Sequence, residues 1–296
     1  MPNPGSFLPS RGAFAFTSAW PSEPAVVVPA PFGKISIGNA AAGLCGGMVF
    51  AAVDYWHAAI APPAARPAPG QPLYRYLVQR LIDSWHLPAG VAEYYQWMNL
   101  PDGDTGVEVF GQHVVAERGV AWHTIGTQWP QIAAVLDSGV PAALGVVTIA
   151  SANPADLGVN HQVLAYGYSA SASKVTVQVY DPNSGRNNGI YIRFDPRSPT
   201  KPTTFAHNLN IADPVRGFFP PPTLRPRRPP PDPPPRIAPK QPTHPGPRHA
   251  ADESTGLTDV TMTQFTLQAT HRISVRRGGA SIPSGPMGSN KPGWSA

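Results

Sequence analysis

The chain has 296 residues, 42% of them hydrophobic and 9% aromatic, enough to build a substantial core in one large domain or two modest ones. Its formal charge is +5 at pH 7, but residues 220–249 alone carry six Arg or Lys against one acid, so the remainder is neutral. With the charge confined to one segment, and no zinc-finger spacing, aromatic ribonucleoprotein motif or recognition-helix pattern, no nucleic acid is expected as a partner.

A single cysteine, Cys45, excludes an intramolecular disulfide framework. The N-terminal "MPNPGSFLPSRGAFAF" has no apolar h-region, and no apolar run approaches the ~18 residues of a membrane span. The expectation is a soluble chain without a membrane span, cytoplasmic or exported by a route that uses no standard signal peptide.

Residues 1–35, rich in proline and aromatic side chains, read as an extended N-terminal arm. A helix is predicted from Cys45 to about Ile60, with Met48, Val49, Ala52, Val53 and Trp56 on one stripe. Proline and glycine make 61–72 a loop, and 73–85, "LYRYLVQRLIDSW", repeats its apolar positions at helical spacing. A shorter helix is predicted over 91–98, a turn at "PDGDTG" (101–106), and a further helix over 128–139 that ends at Gly139.

The period then changes. "VPAALGVVTIA" (140–150) reads as a buried strand. "HQVLAYGY" (161–168), "KVTVQVYD" (174–181) and "GIYIRFD" (189–195) read as a meander, with "SASAS" as the first turn. Helices first and antiparallel strands second make an α+β domain, placed at 36–219. Residues 220–249 hold 14 of the 39 prolines and read as a polyproline linker, either a stiff spacer or a segment for a polyproline-binding partner. Residues 250–296 read as an extension with strand-like alternation over 255–277, then a flexible tail.

Three residues point to chemistry. If Tyr168 and Lys174 flank a five-residue turn, His161 falls opposite Asp181, and opposed residues share a face with Cβ atoms ~5 Å apart. An imidazole held by a carboxylate can take a proton from a thiol. Cys45 stands where a glycine-rich stretch becomes a helix, whose N-terminus carries a partial positive charge of ~0.5 that favours the thiolate. Gly43, Gly46 and Gly47 present no Cβ and would let a substrate backbone approach the sulfur. The competing reading of Cys45 is a small core filler. His57, His86, His113 and His123 have no matching acid, and His244, His249 and His271 belong to the linker and extension. No spacing supports a zinc site and no glycine-rich phosphate loop is present, so neither metal nor cofactor is expected.

"GLCGGMVFAA" at a helix start, then "GVPAALGVV", "NHQVLAYGY" and "VYDPNSG", resemble the papain-like cysteine peptidases, nearest the branch of the double-glycine leader peptidases of bacteriocin exporters. The resemblance covers roughly residues 36–195. It implies a papain-like fold: N-terminal helices, with the nucleophile at a helix N-terminus, packed on a C-terminal antiparallel sheet. It makes Cys45 the nucleophile, His161 the base and Asp181 the orienting acid, with Asn183 a rival orienter. The family pattern places a Gln about six residues before the nucleophile to donate to the oxyanion; this sequence has Asn39 there, the same amide on a shorter arm. "LCGGM" also departs from the usual aromatic after the nucleophile.

The implied function is a cysteine-dependent amide-bond hydrolase acting on a peptide or other amide through a thioester. The alternatives are a catalytically silent papain-like binding module that recruits a partner through 220–249, and an acyltransferase or toxin on the same fold.

Overall fold

Helical period before residue 140 and strand runs after it produce two bodies of structure that share a core. A computed structural model describes residues 7–20, 26–30, 33–37, 44–84, 89–110, 112–202 and 205–231 of the chain, all within one compact unit. The expected strand-like stretch at 255–277 and the tail lie outside the described residues.

The arm is more structured than an extended strap. It forms a helical turn, α1 (Pro9–Gly12), and a hairpin of β1 (Val26–Ala30) and β2 (Gly33–Ile37). Phe7, Phe14 and Phe16 are buried in the core. The helix headed by Cys45 is α2 (Cys45–His57), and it lies along α3 (Pro72–Ser84). Met48, Val49 and Ala52 are buried as the stripe requires, and so are Phe50, Ala51 and Tyr55, because α2 is covered by α3, the arm and the sheet. Then comes α4 (Ala89–Asn99).

A hairpin of β3 (Thr105–Val109) and β4 (Gln112–Glu117) occupies a stretch that the sequence reading left without strands. Next, α5 (Val120–Trp122) runs through a π turn (His123–Gln128) into α6 (Trp129–Asp137), so the helix starts earlier than residue 128. Pro130 cannot donate to the carbonyl four residues back, and the turn before it is wound wider. Gly139, at φ +82°, stops the helix in the left-handed conformation glycine tolerates best.

The remaining strands are β5 (Ala142–Val147), β6 (His161–Ser171), β7 (Lys174–Tyr180), β8 (Tyr191–Phe194), β9 (Ala206–His207) and β10 (Gly217–Phe219). They form one antiparallel sheet in the order β10-β5-β6-β7-β8-β9. A bridge between Phe205 and Val215 links the flanks of the two edge strands, so the sheet curls upon itself. Its inner face holds Val163, Ala165, Val175, Val177 and Val179 with Ile125 and Ile132 of the α5–α6 region. Its outer face sends Leu164 and Tyr180 into the cluster of α2, α3 and the arm. Burial on both faces explains why β5 and residues 163–165 of β6 are apolar without alternation.

The first residues after Phe219 are docked on the helix pair. Buried Asp54 of α2 receives the Arg227 backbone N–H (2.9 Å), the Tyr76 hydroxyl (2.7 Å) and Nη2 of buried Arg80 (3.0 Å). The Tyr55 hydroxyl donates to the Pro230 carbonyl (2.9 Å). Residues up to 231 thus close one end of the core, with the α2–α3 ion pair beneath them. No helix among the described residues is long and apolar enough to cross a membrane.

Candidate active site

The segment before α2 supplies no Ser, Thr, Asp or Asn cap; Leu44 is the N-cap and makes no side-chain bond. The first-turn N–H groups of a helix lack intrahelical partners, and here the sulfur of Cys45 itself accepts from the Gly46 N–H, with a second N–H from Gln162 of β6. The helix start and the strand start therefore meet at the thiol.

On the strand side, His161 opens β6 and pairs with Val146 of β5. Its Nε2 lies 2.8 Å from Oδ1 of Asp181, just past the end of β7. The ring also hydrogen-bonds Cys45, and with Nε2 committed to the carboxylate, Nδ1 is the atom left for the sulfur. The Tyr94 hydroxyl of α4 donates to the His161 carbonyl (3.2 Å), fixing the backbone behind the ring. Cys45, His161 and Asp181, far apart in sequence, form one chain of polar contacts.

Asp181 is fully buried and fully satisfied. Its Oδ1 accepts the Asn183 N–H (2.8 Å) as well as His161, and its Oδ2 accepts the Ser184 hydroxyl (3.0 Å) and the Asn210 N–H (2.8 Å). Burial would raise this carboxyl, but the imidazole and the two backbone donors hold it below the usual range. Burial likewise works against a charged His161, yet the bonds to Asp181 and Cys45 lift the imidazole to about 10. Burial alone would raise the thiol; the imidazole and the two N–H groups bring it below its ordinary value. These shifts favour a thiolate–imidazolium pair at neutral pH.

The predicted opposition of His161 and Asp181 does not occur. The turn is only Ala172–Ser173, which pairs Ser171 with Lys174 and Tyr168 with Val177. Continued without interruption, that register would send Asp181 to the opposite face from His161. A bulge between Ala165 and Gly167 adds one residue to β6, after which Ala165 pairs with Val179 and Leu164 with Tyr180. One extra residue exchanges the faces. Asp181 then shares the face of His161 as a diagonal neighbour, close enough for an imidazole to span.

Two further readings are corrected. Asn183 does not orient the imidazole: its side-chain amide donates to the Asn210 carbonyl (3.2 Å), and the Asn210 amide returns a bond to the Asn183 carbonyl (2.9 Å). Nor do Gly46 and Gly47 open a path for substrate. A Cβ on Gly46 would sit 2.2 Å from Gln162 Oε1, and one on Gly47 would sit 2.1 Å from the Leu77 carbonyl oxygen. Both glycines are buried, and they let α2 approach β6 and α3. Gly43 and Asn39 lie outside the described residues.

The thiol opens onto a cleft of about 300 Å³, lined by Ser18 of the arm, Cys45, Val159, His161, Asn183 and residues 210–213. Cys45 is partly exposed there. A recess of about 420 Å³ lined by Ser171, Ser173, Lys174, Arg193, Phe194, Asp195 and Ala206 has neither Cys nor His in its wall. Residues that sequence reasoning missed are Gln162, Tyr94, Ser184, Asn210 and Ser18. Of these only Ser184 carried a signal, since "DPNS" has Asp, Pro and Asn where a turn wants them. His207 of β9, also passed over, feels the Asp181 charge, but burial holds its ring below the usual value. Among the described residues, no group of three His, Cys, Asp or Glu is arranged to hold a metal ion.

The chemistry of the site therefore rests on its own geometry: no family model matches the chain, and neither does any curated protein or solved structure.

Proposed function

We propose that this protein is a cysteine-dependent amide hydrolase on a papain-like scaffold, with Cys45 as nucleophile, His161 as acid and base, and Asp181 as the orienting group. The observation that carries the reading is the contact chain from sulfur to imidazole to buried carboxylate, opening on a cleft at a helix N-terminus. In the first step the thiolate adds to the amide carbonyl carbon. Collapse breaks the C–N bond, the imidazolium proton goes to the departing amine, and a thioester remains on Cys45. Neutral His161 then takes a proton from water, whose oxygen attacks the thioester. The acid leaves and the thiolate and imidazolium are restored. Asp181 keeps the ring in register throughout and stabilises its cationic form.

The test is alkylation of Cys45, the only thiol in the chain. Iodoacetamide should react rapidly at pH ~6, and His161→Ala should slow it by an order of magnitude or more. A native protein whose thiol reacts only near pH 8.5, as a free cysteine does, excludes this reading. No observation favours the silent module recruiting through polyproline, because the described part of that segment is engaged with Asp54, Tyr55 and Arg80.

A further inference from the structure

The polar atoms of the cleft are not equally engaged. The Asn160 side chain is committed at both ends, its Oδ1 to the Thr148 N–H (3.1 Å) and its Nδ2 to the Leu157 carbonyl (3.3 Å). Asn183 and Asn210 each spend one amide N–H on the other's backbone carbonyl, which fixes which way each amide faces and, among the described residues, leaves both Oδ1 atoms open. Among the described residues, Asp213, exposed on the same wall, has no ion-pair or hydrogen-bond partner, and neither has the Ser18 hydroxyl. No Lys or Arg lines the cleft among the described residues. The side-chain oxygens left open on these walls are the Oδ1 atoms of Asn183 and Asn210, the Ser18 hydroxyl and the Asp213 carboxylate, the last a full negative charge. Beneath them the thiolate, imidazolium and Asp181 carboxylate together add another net negative charge.

Open acceptor oxygens beside a carboxylate are complemented by a ligand rich in N–H donors, and the negative charge of the wall by a cation. Resting on the nucleophile reading above, we propose that the cleft takes substrates bearing a cationic, donor-rich group, an ammonium or guanidinium, against Asp213 and the open amide oxygens of Asn183 and Asn210. The substrate class is a peptide or amide with a basic side chain or free amine beside the scissile bond. Asp213 acts here as a specificity determinant and takes no part in the covalent steps.

The experiment uses the full-length protein and two methanethiosulfonates, one carrying an aminoethyl group and the other a sulfonatoethyl group. The Cys45 thiolate attacks the sulfur attached to that group, forms a mixed disulfide and expels methanesulfinate, so no oxidant is needed. The ratio of the two rates is divided by the same ratio for free cysteine, which removes intrinsic reactivity. The native ratio should favour the cation by about tenfold, Asp213→Asn should reduce that preference about threefold, and Asp213→Lys should abolish it. A native ratio equal to that of free cysteine, or one unmoved by Asp213→Asn, overturns the proposal. Labelling requires no acyl transfer, so the outcomes separate. A cation preference in a protein without hydrolytic activity supports this inference while the hydrolase reading falls. Hydrolysis without the preference removes this inference alone.

Discussion

His161 Nε2 and Asp181 Oδ1 are 2.8 Å apart although no ladder pairs these two residues. The contact exists because one bulged residue in β6 exchanges the faces of the hairpin beyond it. The carboxylate is then held from three sides, by β6 through the imidazole, by its own turn through Asn183 and Ser184, and by the following loop through Asn210. An orienting group so fixed needs no help from the Asn183 side chain.

Asp181→Asn should therefore leave a folded protein whose Cys45 alkylates at least about tenfold more slowly at pH 6, because the imidazolium loses its counter-charge. Asn183→Ala should change that rate by less than about twofold, because its loss removes a bond to the Asn210 carbonyl and none to the ring. The two alkylation rates, with circular dichroism to check folding, decide between the orienters.

The pH profile has a direction that the shifts fix. With the thiol lowered and the imidazole raised to about 10, the ion pair spans neutral pH. Alkylation should rise from the acid side at a pH below that of a free thiol, stay level through neutrality, and change again as His161 deprotonates near 10. The raised imidazole also stabilises the fold: its contribution is complete below the ordinary value of 6.5 and fades as pH climbs through about 10. Thermal melts at pH 6 and pH 10 should show this loss, and it should be smaller in His161→Ala.

Gly47→Ala tests whether α2 is packed or open at its start. A methyl 2.1 Å from a backbone oxygen of α3 cannot be absorbed by a rotamer change, so the helices must part, at a cost of about 1–3 kcal/mol. A denaturant titration should show the loss. An unchanged midpoint would return Gly47 to the role of opening the cleft.

The docked segment 220–231 makes a paired prediction. A chain ending after Phe219 leaves Asp54 and Arg80 without the Arg227 N–H and the Arg225 carbonyl, whereas one ending after Pro231 keeps both. Losing bonds to buried charged groups costs roughly 1.5–3 kcal/mol each. The shorter chain should melt lower by on the order of 10 °C for a domain of this size. Equal melting temperatures would make the segment a bystander.

The order of helices and antiparallel strands was legible because apolar period changes near residue 140, and period is what burial imposes on each kind of element. The β3–β4 hairpin was not. Its turn places Phe110 at φ +51°, where Asn, Asp or Gly would have announced it, and Val107, Val114 and Val115 are exposed, so no buried face marks the strands. In the site, Cys45, His161 and Asp181 were legible from residue type and element ends. The route by which His161 meets Asp181 was not, since a bulge leaves no mark in composition. Asn210 was hidden for another reason: it acts through its backbone N–H, which every residue except proline possesses. The two glycines after Cys45 showed that something approaches closely, but a sequence does not say from which side.

The bridge from Phe205 to Val215 bears on self-association. Outermost strands are where one molecule can template another, and here they are two and three residues long, tied together at their flanks. The Phe218 N–H, on the outermost strand, is already occupied by the Thr124 hydroxyl. A sheet with so little open rim offers a neighbouring copy scant purchase for strand-by-strand growth into fibrils.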